Sequence, residues 1–155
     1  MKIKKRTPLR IAGRVLLVLL AILAVFIITM TIYNQIMLKK NKELYETPLG
    51  QLVEVDGHNM SIYTEGEGDH TLVFLSGWGT PSPILDFKAL YSRLSDENRI
   101  AVVEKFGYGF SDEIDDERDI DTILRQDREA LEKAGVEGPY ILCPHSFSGH
   151  EATLW

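Results

Sequence analysis

The sequence predicts an α/β fold, a mostly parallel sheet with helices on its faces, preceded by one helix that crosses a membrane. Three observations lead there. Residues 15–33 form a nineteen-residue run without a charge. Short apolar runs at 71–75, 99–104 and 140–143 have the length and continuity of strands buried on both faces. Segments with helical spacing alternate with those runs, the pattern of right-handed strand–helix–strand crossovers.

The N-terminal segment comes first. Six basic residues (Lys2, Lys4, Lys5, Arg6, Arg10 and Arg14) precede the uncharged run. Residues 1–14 read as a basic cytoplasmic tail, 15–33 as a transmembrane helix, 34–49 as a juxtamembrane linker and 50–155 as the globular domain. At ~1.5 Å per residue the run from Val15 to Tyr33 spans about 28 Å, close to a bilayer core of ~30 Å. It is apolar on every side, unlike an amphipathic surface helix. A cleaved signal peptide is the competing reading. Its apolar region is shorter, ~7–15 residues, and ends at a small-x-small site. This run instead leaves through Tyr33-Asn34-Gln35-Ile36-Met37. Only Lys39, Lys40 and Lys42 follow it, so the positive-inside bias puts the N-terminus in the cytoplasm. The expectation is a single-pass protein of the cell membrane, with the bilayer as partner through residues 15–33 and the domain extracytoplasmic.

The domain opens with strand patterns at 51–55 and 60–64 around Asp56-Gly57, a strong hairpin signal. The apolar run 71–75 follows. Residues 83–94 carry apolar side chains at helical spacing (84, 87, 90, 91 and 94) and predict one helix. The run 99–104 is the next strand. Asp121 is a plausible cap for a helix that runs to Ala134 and stops at Gly135. Residues 140–143 are the last strand, and a further helix is expected near Ser148.

Charge narrows the function classes. The net charge of −6 hides a split. Residues 1–42 carry nine Lys/Arg and no acid; residues 43–155 carry eight Lys/Arg against twenty-three Asp/Glu, a net of −15. So acidic a domain does not suit DNA or RNA. One cysteine, Cys143, excludes an internal disulfide framework and a cysteine-rich zinc site. The acidic run 112–119 lacks the ligand order of a calcium loop and reads as a solvated loop. Gly107-Tyr108-Gly109 lacks the third glycine and the immediate helix of a dinucleotide loop. No cofactor or metal is expected.

The segment Cys143-Pro144-His145-Ser146-Phe147-Ser148-Gly149 carries the most chemistry. A buried strand runs straight into a helix with a serine at the turn, the geometry of a nucleophile elbow. Pro144 and Ser148 stand where the Gly-x-Ser-x-Gly pattern has its glycines. Read alone, the segment suits a nucleophile or a serine helix cap. Ser148 is the rival nucleophile, but in that frame His150 would fall where a small residue is needed. Two more loops leave the ends of successive strands on the same face: Ser76-Gly77-Trp78-Gly79 after 71–75, and Gly107 to Asp112 after 99–104.

In order and spacing these three motifs resemble the N-terminal half of an α/β-hydrolase of the single-domain esterase, lipase and peptidase type, over residues 50–155. The resemblance implies that Ser146 is the nucleophile. It implies that the backbone N–H groups of Trp78 and Phe147 form the oxyanion hole. The family usually has His-Gly where this chain has Ser76-Gly77, a tolerable change because a backbone group acts there. Trp78 and Phe147, beside the reacting centre, are candidates for an acyl pocket. Phe106 and Tyr108 fit core or pocket equally. The family's acid and histidine follow the serine in chain order, and both would come after Trp155. His58 and His70 read as surface residues near turns. His145 should point away from the hydroxyl, and His150 is a poor substitute base.

The expectation is therefore a membrane-anchored serine hydrolase acting on an ester, amide or peptide bond of a small molecule or peptide through an acyl-enzyme. The 155 residues read as part of a chain about twice as long, inactive alone, with strand 140–143 left as an apolar edge. The alternative is a non-catalytic, membrane-tethered binding module.

Overall fold

The computed structural model describes residues 7–155; Lys2, Lys4, Lys5 and Arg6 of the basic tail lie outside the described residues. The chain divides into two units at Thr47 and Pro48. The first holds helix α1 (Thr7–Lys40) and the short α2 (Lys42–Glu46). From Arg10 to Lys40 the helix is long and apolar enough to cross a membrane, with a mean hydropathy of 3.1 in its most apolar window and no burial there. The Thr29 and Thr31 hydroxyls are satisfied within the helix. Thr29 donates to the Val25 carbonyl at 2.8 Å and Thr31 to the Ile27 carbonyl at 2.9 Å, the back-bonding that makes a hydroxyl tolerable in apolar surroundings. Residues 34–40, expected in a linker, continue the helix. Nothing there breaks it: the segment has no Gly or Pro, and Lys39 and Lys40 sit in the last turn, where cations suit the helix end.

In the second unit the strands are β1 (Gln51–Val55), β2 (His58–Glu65), β3 (Thr71–Leu75), β4 (Arg99–Glu104) and β5 (Tyr140–Pro144). They form one sheet in the order β1-β2-β4-β3-β5. β3 is parallel to β4 and β5, while β2 is antiparallel to β1 and β4. The sheet is mixed: the expected hairpin β1–β2 is antiparallel, because a two-residue turn reverses the chain, and the three buried strands β3, β4 and β5 run parallel. That turn has Asp56 at φ 51° and Gly57 at φ 80°, the left-handed pair of a type I′ hairpin. Arg125 and Gln126 donate to the Asp56 carboxylate at 2.6 and 2.9 Å, and Arg125 holds that carboxyl below the usual carboxylate range.

Side chains alternate across the sheet. Val73, Leu75, Ala101 and Val103 face one core with Ala130 and Leu131 of α5 (Ile120–Lys133). Leu72, Phe74, Ile100 and Val102 face the other, with Ile84 and Tyr91. The helix expected over 83–94 is two short pieces, α3 (Pro83–Asp86) and α4 (Lys88–Tyr91). The Tyr91 hydroxyl takes the Ile84 carbonyl at 2.9 Å, an acceptor that an unbroken helix would give to residue 88. The α5 cap is Asp119, not Asp121. Its carboxylate accepts from the Thr122 N–H at 2.9 Å and from the Thr122 hydroxyl at 2.8 Å. Asp121 lies in the first turn, where an acid favours the helix only through its charge. Leu75 is in register with Val103 and with Pro144, so the loops after β3, β4 and β5 leave the sheet at one edge.

Candidate active site

β5 ends at Pro144 and α6 (Ser148–Leu154) begins after three intervening residues. The turn between them puts Ser146 at φ 57°. This is the left-handed region, which costs a side-chain-bearing residue roughly 1–2 kcal/mol. Ser146 is exposed. Pro144, the departure from the usual elbow pattern, has no N–H, and the next one, on His145, supplies the bond to the Leu75 carbonyl at 2.9 Å. Ser148 has the opposite environment. It is fully buried, accepts from the His145 N–H at 2.8 Å, and has the carbonyls of Leu75 and His145 at 2.7 and 2.8 Å. Its hydroxyl splints the turn.

The loop after β3 lies against this turn. A Cβ on Gly77 would meet the His145 carbonyl and the Ser146 Cβ at 2.8 Å and the Phe147 nitrogen at 3.1 Å. Only glycine lets the two loops approach so closely. Gly77→Ala is therefore expected to destabilise the domain by about 1–3 kcal/mol, read as a lower urea midpoint with an unchanged slope. An unchanged midpoint would show that the loops do not pack this way.

Beside the contact, the rings of Trp78 and Phe147 stack with centroids 4.3 Å apart and planes at 29°. Trp78 remains 74% exposed. Among the described residues, the backbone N–H groups of Trp78 and Phe147 donate to no other backbone group. No histidine among them bonds Ser146. The His145 ring packs edge-on to Phe87 at 5.9 Å, and the His150 ring lies 5.4 Å from Phe147. His58 and His70 are exposed.

The loop after β4 acts as a clasp. Glu104 is buried and accepts from the Phe110 N–H at 2.9 Å; Ser111 donates to the Glu104 carbonyl and accepts from the Ser61 N–H at 2.8 Å. Asp112 accepts from the Asn59 N–H at 2.7 Å, so part of the acidic run is a turn anchor. Phe106 is 2% exposed and packs in the core; Tyr108 is half-buried, with its hydroxyl 3.3 Å from the Gly79 N–H. Cys143 is half-buried, and burial pushes its thiol pKa up.

Three ionisable side chains outside the sequence-predicted site lie behind it. Lys105, 4% exposed, donates to the Ser76 carbonyl at 2.9 Å and forms an ion pair with Glu151 of α6, which is 1% exposed. Asp127 of α5 is fully buried, and neither carboxylate oxygen has a partner. Desolvation pushes its pKa to about 7, against the pull of Lys105. The signal was present. Asp127 stands on the apolar stripe of α5, three or four residues from Ile123, Leu124, Ala130 and Leu131. A cleft of about 480 Å³ opens in front of Lys105 and Glu151, lined also by Trp78, Tyr108 and Arg118; Ser146 is not part of its wall.

Several solved structures share this fold. An α/β hydrolase fold protein from Burkholderia ambifaria superposes with a TM-score of 0.60 at 20% identity, over 68% of this chain and 38% of that one. A meta-cleavage product hydrolase superposes with a TM-score of 0.61 at 19% identity, over 69% and 40%. The chain has the α/β-hydrolase fold. It is also similar to an uncharacterized protein of Bacillus subtilis (strain 168), YbdG, with 49% identity over 139 residues. That match takes in 90% of this chain and 41% of the relative, so the chain spans less than half the relative's length. No protein-family model matches it.

Proposed function

We propose that the chain is the nucleophile-bearing part of a membrane-anchored serine hydrolase acting on an ester, amide or peptide bond. One observation carries the reading. Ser146 is the exposed hydroxyl of a left-handed strand-to-helix turn, flanked by the unengaged N–H groups of Phe147 and Trp78. A non-glycine residue kept at positive φ is strain that a cap or surface serine has no reason to hold.

In this reading the Ser146 Oγ bonds to the substrate carbonyl carbon as its proton passes to a general base. The carbonyl oxygen becomes an oxyanion and accepts from the two N–H groups. The bond to the leaving group then breaks, the leaving group takes the proton, and water releases the acyl group from Ser146. The stacked faces of Trp78 and Phe147 offer an apolar surface for the acyl chain. The base and its orienting acid are assigned outside residues 1–155, where the relative's additional length leaves room for them; alone, these residues are expected to be inactive. The apolar helix α1 is assigned as the anchor, with the N-terminus cytoplasmic and the domain outside, on its hydropathy and the excess of basic residues before the run.

A non-catalytic tethered module is the second reading. A fluorophosphonate decides between the two. Added to the intact gene product, it is expected to leave its phosphonyl group on the peptide containing Ser146, mapped by mass. An unmodified peptide under conditions that label a control serine esterase would favour the module.

A further inference from the structure

We propose that Lys105 is a positioning residue for the reaction: its ammonium holds the Ser76 carbonyl, and with it the oxyanion loop, in register with the serine turn. The proposal rests on the serine-hydrolase reading above. The two N–H groups assigned to the oxyanion come from different loops, and a tetrahedral centre needs both at once. Lys105 bridges the same two elements. On one side its Nζ donates to the carbonyl of Ser76, two residues before Trp78, at 2.9 Å. On the other it pairs with Glu151, four residues after Phe147 on α6.

Packing alone does not call for a lysine here. The side chain is 4% exposed and ends among buried groups, where an aliphatic residue would fill space without the cost of desolvating a charge. The charged groups facing it are Glu151 from α6, Asp127 from α5 and Arg118 from the loop before α5. Both carboxylates lie on the α5 and α6 side, so the Ser76 carbonyl is the neutral acceptor that ties the ammonium to β3.

The test must separate a grip on the loop from a general contribution to folding. Lys105→Met alone strands Glu151 without a partner and puts the fold at risk. Lys105→Met/Glu151→Leu removes the ion pair as a unit, a change that buried pairs commonly tolerate. The readout is fluorophosphonate labelling of Ser146 in the intact gene product, resolved into probe affinity and first-order labelling rate, below the melting midpoint of every variant. The double variant is expected to keep the probe affinity within about twofold and to lose roughly 10–100-fold in labelling rate, because a small misplacement of one donor acts on the reacting state. Glu151→Gln keeps an acceptor for Lys105 and leaves the Ser76 bond in place, so its rate is expected within about threefold of wild type. A wild-type rate in the double variant overturns the proposal. So does an equal loss in Glu151→Gln, which would tie the effect to the ion pair and not to Ser76. Wild-type protein that takes no label at Ser146 removes the serine-hydrolase reading, and this proposal with it.

Discussion

Ser146→Ala is expected to lower turnover of a p-nitrophenyl ester by the intact gene product by roughly 10⁴–10⁶-fold, the scale seen when a serine nucleophile is removed. Ser148→Ala, two residues on, is expected to keep turnover within about tenfold while costing about 1–3 kcal/mol of stability. The contrast follows from where the two hydroxyls point. Ser146 is exposed and engages no backbone group, whereas Ser148 is fully buried and joins the His145 N–H to carbonyls at 2.7 and 2.8 Å. A third variant sharpens the test. Ser146→Gly removes the hydroxyl and relieves the positive φ of 57° at the same position. It is expected to be as inactive as the alanine variant, yet more stable than wild type by about 1 kcal/mol. Loss of stability in Ser146→Gly would mean that the turn is not strained. Full activity in Ser146→Ala would remove it as the nucleophile.

The second large effect is on stability against pH. Burial raises the Asp127 pKa from 3.8 to about 7. The folded state then binds a proton that the unfolded chain releases. The contribution to stability is complete below the unfolded value of ~3.9 and is lost as pH rises through about 7. Near 1.36 kcal/mol per unit, the loss between about pH 4 and pH 8 is about 4 kcal/mol. Asp127→Asn keeps the size and neutrality of the protonated acid without the titration. It is expected to match wild type near ~pH 4 and to exceed it by about 4 kcal/mol at ~pH 8, measured by urea unfolding across that range. Parallel stability curves for the two proteins would falsify the assignment, and would mean that Lys105 and Arg118 keep Asp127 ionised throughout.

These residues show how unevenly the site can be read from the sequence. The serine turn was legible because its signal is local: an apolar strand, a serine and a helix start occupy twelve consecutive residues, 141–152. The hairpin was legible for the same reason, since Asp56-Gly57 dictates its own backbone. The helix cap was misread by two residues because Asp119 and Asp121 differ only in which one the Thr122 N–H can reach. The break at Phe87 goes with a contact from Tyr91 back to Ile84, seven residues earlier, and periodicity does not encode it. The pairing of Lys105 with Glu151 joins residues forty-six apart in the chain and could not be read from spacing.

The apolar N-terminal helix, the succession of strands and helices and the position of the serine are legible in the chain alone, because each depends on residues within one or two turns of it. Sheet order, which of two serines keeps a free hydroxyl, and which ionisable groups are buried behind the Ser76–Gly79 loop were decided by the tertiary structure. Those outcomes depend on what the fold brings together from distant segments. Burial changes the chemistry of a group as much as its identity does: Asp127 and Asp119 are the same residue type, yet desolvation raises the pKa of the first and the Thr122 hydrogen bonds lower that of the second.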